Sequence, residues 1–352
     1  TDAVKDVRFE KQSSKVITVE PVDLVERIKK GFILDKPINN RVLSELKFYK
    51  RHPKYVSRVL NRAKPYLYFI AEETEKYGVP MEMAFLPVVE SAFQPFAYSH
   101  GRASGLWQFI PGTGKRYGLK QNWWYDGRRD VVASTHSAMK YLSNLSKSFN
   151  NDWLLALASY NAGSGNVRKA IRKNNKRGKP TDFWHLNLPK ETESYVPKLI
   201  AFCMIIENPE KYGITLPTID DKPYFEQVDI KSQIDLALAA DLADISLTEL
   251  YLLNPGFNRW ATDPSGPHRL VLPIDKAQHF SEKLAHFPQE KRIRWVRHKI
   301  QRGEALLTIA KRYNTTVDML RKVNQIRGNS IRAGHHLIVP VALKSQDSYA
   351  LS

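Results

Sequence analysis

The chain has 352 residues, enough for two or three domains with cores of their own, and its 42% hydrophobic and 11% aromatic content excludes a disordered polymer. Its single cysteine, Cys203, excludes an internal disulfide, and the absence of any run of roughly 18 uncharged apolar residues excludes a membrane-spanning helix. A net charge of +18 calls for an anionic partner, with nucleic acid, a membrane surface and an acidic cell wall all admissible on charge alone.

Residues 1 to about 20 are polar and weakly patterned, and read as an arm. From Pro21 to about Tyr77 amphipathic helical segments follow, such as Val22–Ile28, punctuated by Pro53 and Pro65. Residues 80 to 207 read as mostly helical. Val131, Ala138, Tyr141, Leu142, Leu145 and Phe149 recur at helical spacing, and Asp152–Tyr160 is apolar almost all round, as a central helix should be. Another helix is expected from Thr192 to about Glu207, with Cys203 an inert buried thiol in its apolar run. The basic stretch Arg168–Lys179 reads as a solvated helix end or loop.

After Pro209 the chain repeats itself. At an offset of 70, Leu236 falls on Leu306, Ala240 on Ala310, Leu250 on Leu320 and Asn254 on Asn324, while Phe225 meets Trp295. Arg269–Ile274 then matches His336–Val341 after a three-residue change in loop length. Each copy reads as a strand, two short helices, a loop and a closing strand, with residues 275 to 293 as connector.

Three segments carry chemistry. Met81–Phe93 is an apolar, helical run holding Glu82 and Glu90, about 80° apart on an ideal helix. Glu90 precedes a turn-rich segment and is flanked by Val89 and Phe93. Loss of water there raises a carboxyl pKa, which a general acid near neutral pH requires, although a structural helix-end glutamate is the plain alternative. In Ser99–Pro111, Gln108 offers donor and acceptor to a sugar acetamido group or hydroxyl, while at least one of Trp107 and Phe109 belongs to a core and His100 to a turn. In Ala158–Asn166, Tyr160 and Asn161 can present polar tips to a cleft, where alone the segment would be a helix C-cap. Asp126 and Asp130 stand beside Arg128 and Arg129 and read as ion pairs, so no second carboxylate stands out for the pair most glycosidases use.

Glu90-Ser91, Gly105-Leu106-Trp107-Gln108 and Tyr160-Asn161-Ala162-Gly163, in that order, resemble the soluble-lytic-transglycosylase catalytic domain, and Glu191–Val196 looks like that family's Glu-Thr-x-x-Tyr-Val segment. The resemblance covers roughly residues 65 to 207. Residues 294 to 341 look like a LysM domain in which Glu304 and Ala305 replace the usual Asp and Thr, and residues 224 to 274 look like a degenerate copy. The subgroup most resembled is that of the D-type membrane-bound lytic murein transglycosylases, which join this catalytic domain to LysM modules.

The resemblance implies an α+β multidomain chain: an N-terminal arm and helical segment (1–64), a mainly α-helical lysozyme-like catalytic domain (65–210), and small βααβ LysM-type modules (224–274 and 294–341). It implies cleavage between N-acetylmuramic acid and N-acetylglucosamine with a 1,6-anhydro product, no cofactor and no metal. Glu90 would be the catalytic acid and base; Tyr160 and Tyr195 would orient the acetamido group and Glu90, Gln108, Phe109 and Asn161 would bind the sugars, and Ser91, at the substrate site, would steady the acid. The partner would be peptidoglycan glycan strands rather than nucleic acid, in the periplasm. A lipid anchor to the outer membrane would sit on a segment ahead of Thr1. A muramidase using water at the same bond, or an inactive wall-binding scaffold, are the competing readings.

Overall fold

The computed structural model describes residues 23–344 and residue 349, so the expected arm over residues 1 to about 20 lies outside the described residues. Helix α1 (Leu24–Lys30) starts where the Asp23 side chain accepts from the Val25 amide, and α2 (Asn40–Arg51) where Asn39 does the same for Arg41 and Val42. Helix α3 (Pro53–Lys76) places Pro53 in its first turn, where no amide partner is missed, but it also runs straight through Pro65. The two proline-punctuated segments expected there are one helix, and residues 64 and 65 both lie inside it. Burial of Leu60, Ala63, Tyr66, Leu67 and Ile70 on both sides outweighs the roughly 3 kcal/mol an interior proline costs.

The apolar run after α3 is not one helix either. Met81–Phe85 is a 3₁₀ turn and α4 (Leu86–Ser91) follows it, so the angular separation of Glu82 and Glu90 on an ideal helix does not apply. Glu82 is 1% exposed, accepts from the Leu34 amide at 2.7 Å and faces Lys36 at 3.4 Å. Then come α5 (Pro111–Arg116), α6 (Val131–Ser148), α7 (Trp153–Ala162), α8 (Ser164–Asn175) and α9 (Lys190–Glu207). Helix α7 buries Leu155 through Ser159 between α6, α8 and α9, as its all-round apolar sequence requires. Cys203 is buried in the same core.

The repeat forms two βααβ modules. In the first, β1 (Phe225–Asp229) pairs antiparallel with β2 (Arg269–Pro273) around α10 (Leu236–Ala243) and α11 (Leu247–Leu253). Helix α12 (Ile274–His286) connects to the second, where β3 (Arg294–Lys299) pairs with β4 (His336–Val341) around α13 (Leu306–Arg312) and α14 (Val317–Asn324). One asparagine clasps each copy shut. The Asn254 amide donates to Leu250 and Val271 carbonyls while its oxygen accepts from the Val271 amide, and Asn324 repeats this with Leu320 and Ile338. A mainly helical body followed by two such modules is the α+β multidomain class expected.

The first module is docked on the helical body. Phe225 packs on Phe69 of α3 with ring centres 5.5 Å apart, and Phe225 and Val271 belong to the body's core. Tyr125 meets Phe257, the Asp126 amide donates to Gly256, the Asn258 amide to Trp124, and Arg269 pairs with Asp130 at 3.1 Å. The second module leans on the first, where the Trp260 indole donates to the Asn314 carbonyl at 3.2 Å.

Candidate active site

Helix α4 ends in two consecutive left-handed residues, Ala92 (φ 50°) and Phe93 (φ 55°), neither of them glycine. Such backbone is costly and persists because Phe93 is wholly buried and the Ala92 and Phe93 amides close on Val88 and Pro87. The sharp stop leaves Glu90, on the last turn, at the wall of a cavity of about 450 Å³. Glu90, Gln108, Phe109, Tyr160, Asn161 and Tyr195 all line it, so the four ordered sequence segments converge on one cleft.

Burial pushes the Glu90 carboxyl up to about 8, further helped by the negative charge of Glu191, although the hydrogen bond from Tyr195 opposes the rise. The Tyr195 hydroxyl donates to Glu90 Oε1. The Tyr160 hydroxyl donates to the Trp107 carbonyl at 2.8 Å. Both phenols are held well above their ordinary range by burial and then by the Glu90 charge, so both remain donors.

The loop opposite Glu90 is built around Gly105, whose φ of +82° and close approach to the Arg128 carbonyl leave no room for a Cβ. Arg128, 6% exposed, binds Asp126 and donates to the Arg102 and Phe109 carbonyls at 2.5 and 3.2 Å. The Trp107 indole donates to Thr135 of α6 at 3.0 Å, which fixes Trp107 in the core as a support. Phe109 is 2% exposed yet edges onto the cavity against Tyr160.

Several side chains sit differently from expectation. Gln108 lines the cavity but spends its amide N–H groups on the Ala97 and Gly105 carbonyls, which leaves its oxygen rather than its donors for a ligand. Ser91 is away from the cavity wall; its buried hydroxyl donates to the Pro87 and Leu106 carbonyls and pins α4 to the Gly105 loop. Asn161 is already clasped, donating to Glu191 and accepting from Thr192 at 2.7 Å. Asp126 pairs with its neighbour Arg128 as expected, whereas Asp130 pairs with Arg269 of the first module instead of an adjacent arginine.

Sequence reasoning missed Glu191, Tyr141 and Lys198 as cavity residues. Glu191 was visible as the first residue of a motif, but nothing in its spacing brings it near Glu90. It is a second carboxylate at the rim, where none had stood out. Tyr141 sits at a helical core position and its ring packs 5.1 Å from that of Tyr160, so it reads as core from periodicity alone.

Comparison with known proteins identifies the domains and the family. Residues 67–183 match the transglycosylase SLT domain, residues 224–289 the lytic transglycosylase MltD LysM-like domain, and residues 298–340 the LysM domain. Membrane-bound lytic murein transglycosylase D of Escherichia coli K12 is 40% identical over 324 residues, spanning 88% of this chain and 71% of the relative. The chain belongs to the lytic murein transglycosylase D family. A putative tributyltin chloride resistance protein of Alteromonas sp. strain M-1 is 39% identical over 162 residues, 46% of this chain and 76% of that one. The 70 kDa soluble lytic transglycosylase structure from Escherichia coli superposes with a TM-score of 0.34 at 20% identity, covering 48% of this chain and 30% of the other. By its family and domain matches this chain is a lytic transglycosylase, with a helical SLT body and LysM-type modules.

Proposed function

We propose that the chain cuts the β-1,4 bond between N-acetylmuramic acid and N-acetylglucosamine in peptidoglycan and leaves a 1,6-anhydromuramoyl end, with Glu90 as the one acid and base. The observation that carries this reading is a carboxyl raised to about 8, set in a 450 Å³ cleft and held through one oxygen by Tyr195. At neutral pH that carboxyl holds its proton, as a general acid must.

Glu90 gives its proton to the bridging oxygen as the bond from that oxygen to C1 of the muramic acid breaks. The substrate's own acetamido oxygen stabilises the positive charge at C1. Glu90, now a carboxylate, takes the proton of the muramoyl 6-hydroxyl while that oxygen bonds to C1, and the acid is regenerated. Tyr195 keeps the carboxyl aimed. Tyr160 and Gln108 hold the sugars with Phe109 as an apolar floor, while Asn161 fixes the rim and Ser91 braces α4 from behind. Replacing Glu90 by Gln should lower cleavage of isolated cell wall by about 10² to 10⁴-fold while leaving circular dichroism and wall binding unchanged.

Glu191 at the rim supports a second reading, hydrolysis with that carboxylate as base for a water molecule. Mass spectrometry of the released muropeptides separates the two, because an anhydro end is one water lighter than a reducing end. Location in the cell envelope and a lipid anchor to the outer membrane come with the family reading, and fractionation of cells expressing the full gene tests both.

A further inference from the structure

The two modules share a fold and not a charge. Residues 224–274 carry three Lys and Arg against seven acids, whereas residues 294–341 carry ten against two. One of those two acids, Glu304, is enclosed by His298 and Arg312, and the other, Asp318, bonds Arg321.

The strand pairing shows where this difference matters. In the first module one face of the β1–β2 ribbon carries Phe225, Gln227 and Asp229 opposite Pro273, Val271 and Arg269. That face is the one docked on the helical body, and Phe225 and Val271 are 8% and 3% exposed. The same positions in the second module are Trp295, Arg297 and Lys299 opposite Pro340, Ile338 and His336. Here Trp295 is 39% and Ile338 45% exposed. The residues that made a neutral, docked face have become an open face with an apolar centre and a basic border. His336 titrates below its ordinary range through partial loss of water and the Arg297 and Lys299 charges, as expected where cations crowd.

We propose that this outer face of the second module's ribbon, Trp295 and Ile338 bordered by Arg297, Lys299 and His336, docks the carboxylate-bearing peptides of the cell wall. The proposal rests on peptidoglycan being the substrate. Charge complementarity selects the occupant, since among the described residues the face carries cations and no acid to answer them, and a peptide carrying carboxylates and short apolar side chains matches both border and centre. The surface is a flat ribbon outside the cleft that holds Glu90, so it would grip peptide-bearing strands independently of cutting.

The test is co-sedimentation of the full chain with insoluble peptidoglycan, either peptide-bearing or stripped of peptides by an amidase, across a range of salt. Wild type should hold the peptide-bearing wall about tenfold more tightly at low salt and lose that margin at high salt. The double variant R297E/K299E, and separately W295A, should lose the margin while still binding stripped glycan, with unchanged thermal melting. Equal binding of both walls by wild type, or a preserved margin in the double variant, overturns the proposal. So does charge-dependent binding to phosphatidylglycerol vesicles without any margin between walls, which would assign the face to a lipid surface. Release of soluble fragments from the same samples reports separately on cleavage, so failure there would strike the enzymatic reading and leave the docking result standing.

Discussion

The pH behaviour of Glu90 is set by its burial and by two groups, Glu191 and Tyr195, whose removal has opposite signs. Burial and the Glu191 charge raise its pKa, and the Tyr195 hydrogen bond lowers it. A general acid works while protonated, so activity should fall as pH rises through about 8. Glu191→Gln should move that alkaline limb to lower pH and Tyr195→Phe to higher pH, read from kcat/KM profiles on soluble glycan strands. Movement in the same direction for both would contradict this account of the site. The same burial bears on stability. A carboxyl whose folded pKa exceeds its unfolded value gives full stability below the unfolded pKa near 4.5, and stability declines as pH rises from there to about 8. Glu90→Gln removes that liability and should stabilise the fold at pH 8 by about 1–2 kcal/mol, a figure reduced for the group's partial exposure. Urea unfolding of both proteins at pH 5 and pH 8 checks it, the gap being larger at pH 8.

Helices and loops hold the site through a few bracing contacts, and these mark where the sequence was readable. Helix α7 was plain because an apolar segment of that length can only be central, and α6 and α9 followed from spacing. Glu90 was readable because, of the two carboxylates in its greasy run, it is the one that precedes the turn-rich segment and opens the first of the ordered motifs. Pro65 misled, since a local rule against proline in helices yields to burial on both its flanks. A supporting role for Ser91 was expected, but its partners and the bracing role of the Gln108 amide were hidden because those partners are backbone carbonyls, which carry no sequence signature. Glu191 and Tyr141 needed the fold itself to reach the cleft. Two substitutions test the bracing. Gly105→Ala forces a side chain into left-handed backbone and onto the Arg128 carbonyl, and should cost about 2–4 kcal/mol in urea unfolding. Asp130→Ala removes the N-cap of α6, the acceptor of the Tyr125 hydroxyl and the partner of Arg269, for a loss of similar size.

Across the whole molecule, the first module and the helical body share core residues and are joined by direct side-chain and backbone contacts. Tyr66, Phe69, Trp124 and Tyr125 are covered by it, and the Tyr66 hydroxyl donates to the Leu252 carbonyl at 2.8 Å. A chain ending near residue 210 should therefore melt about 10 °C lower or aggregate, whereas one ending near residue 290 should keep its melting temperature and its cleavage of soluble strands. The repeat was legible because aligned apolar positions survive divergence. Its docking was not, because Phe225 and Trp295 look alike in a list of residues while one is packed and the other bare. The seating of both modules by direct packing, with α12 between them in place of a loose tether, fixes a span. With the wall gripped at the second module and cut at Glu90, as proposed, the two sites would stand a set distance apart, so the enzyme would reach strands in a narrow shell around its foothold rather than sweep a volume. Its products should then carry the imprint of a ruler, with fragment lengths that narrow once the foothold is engaged.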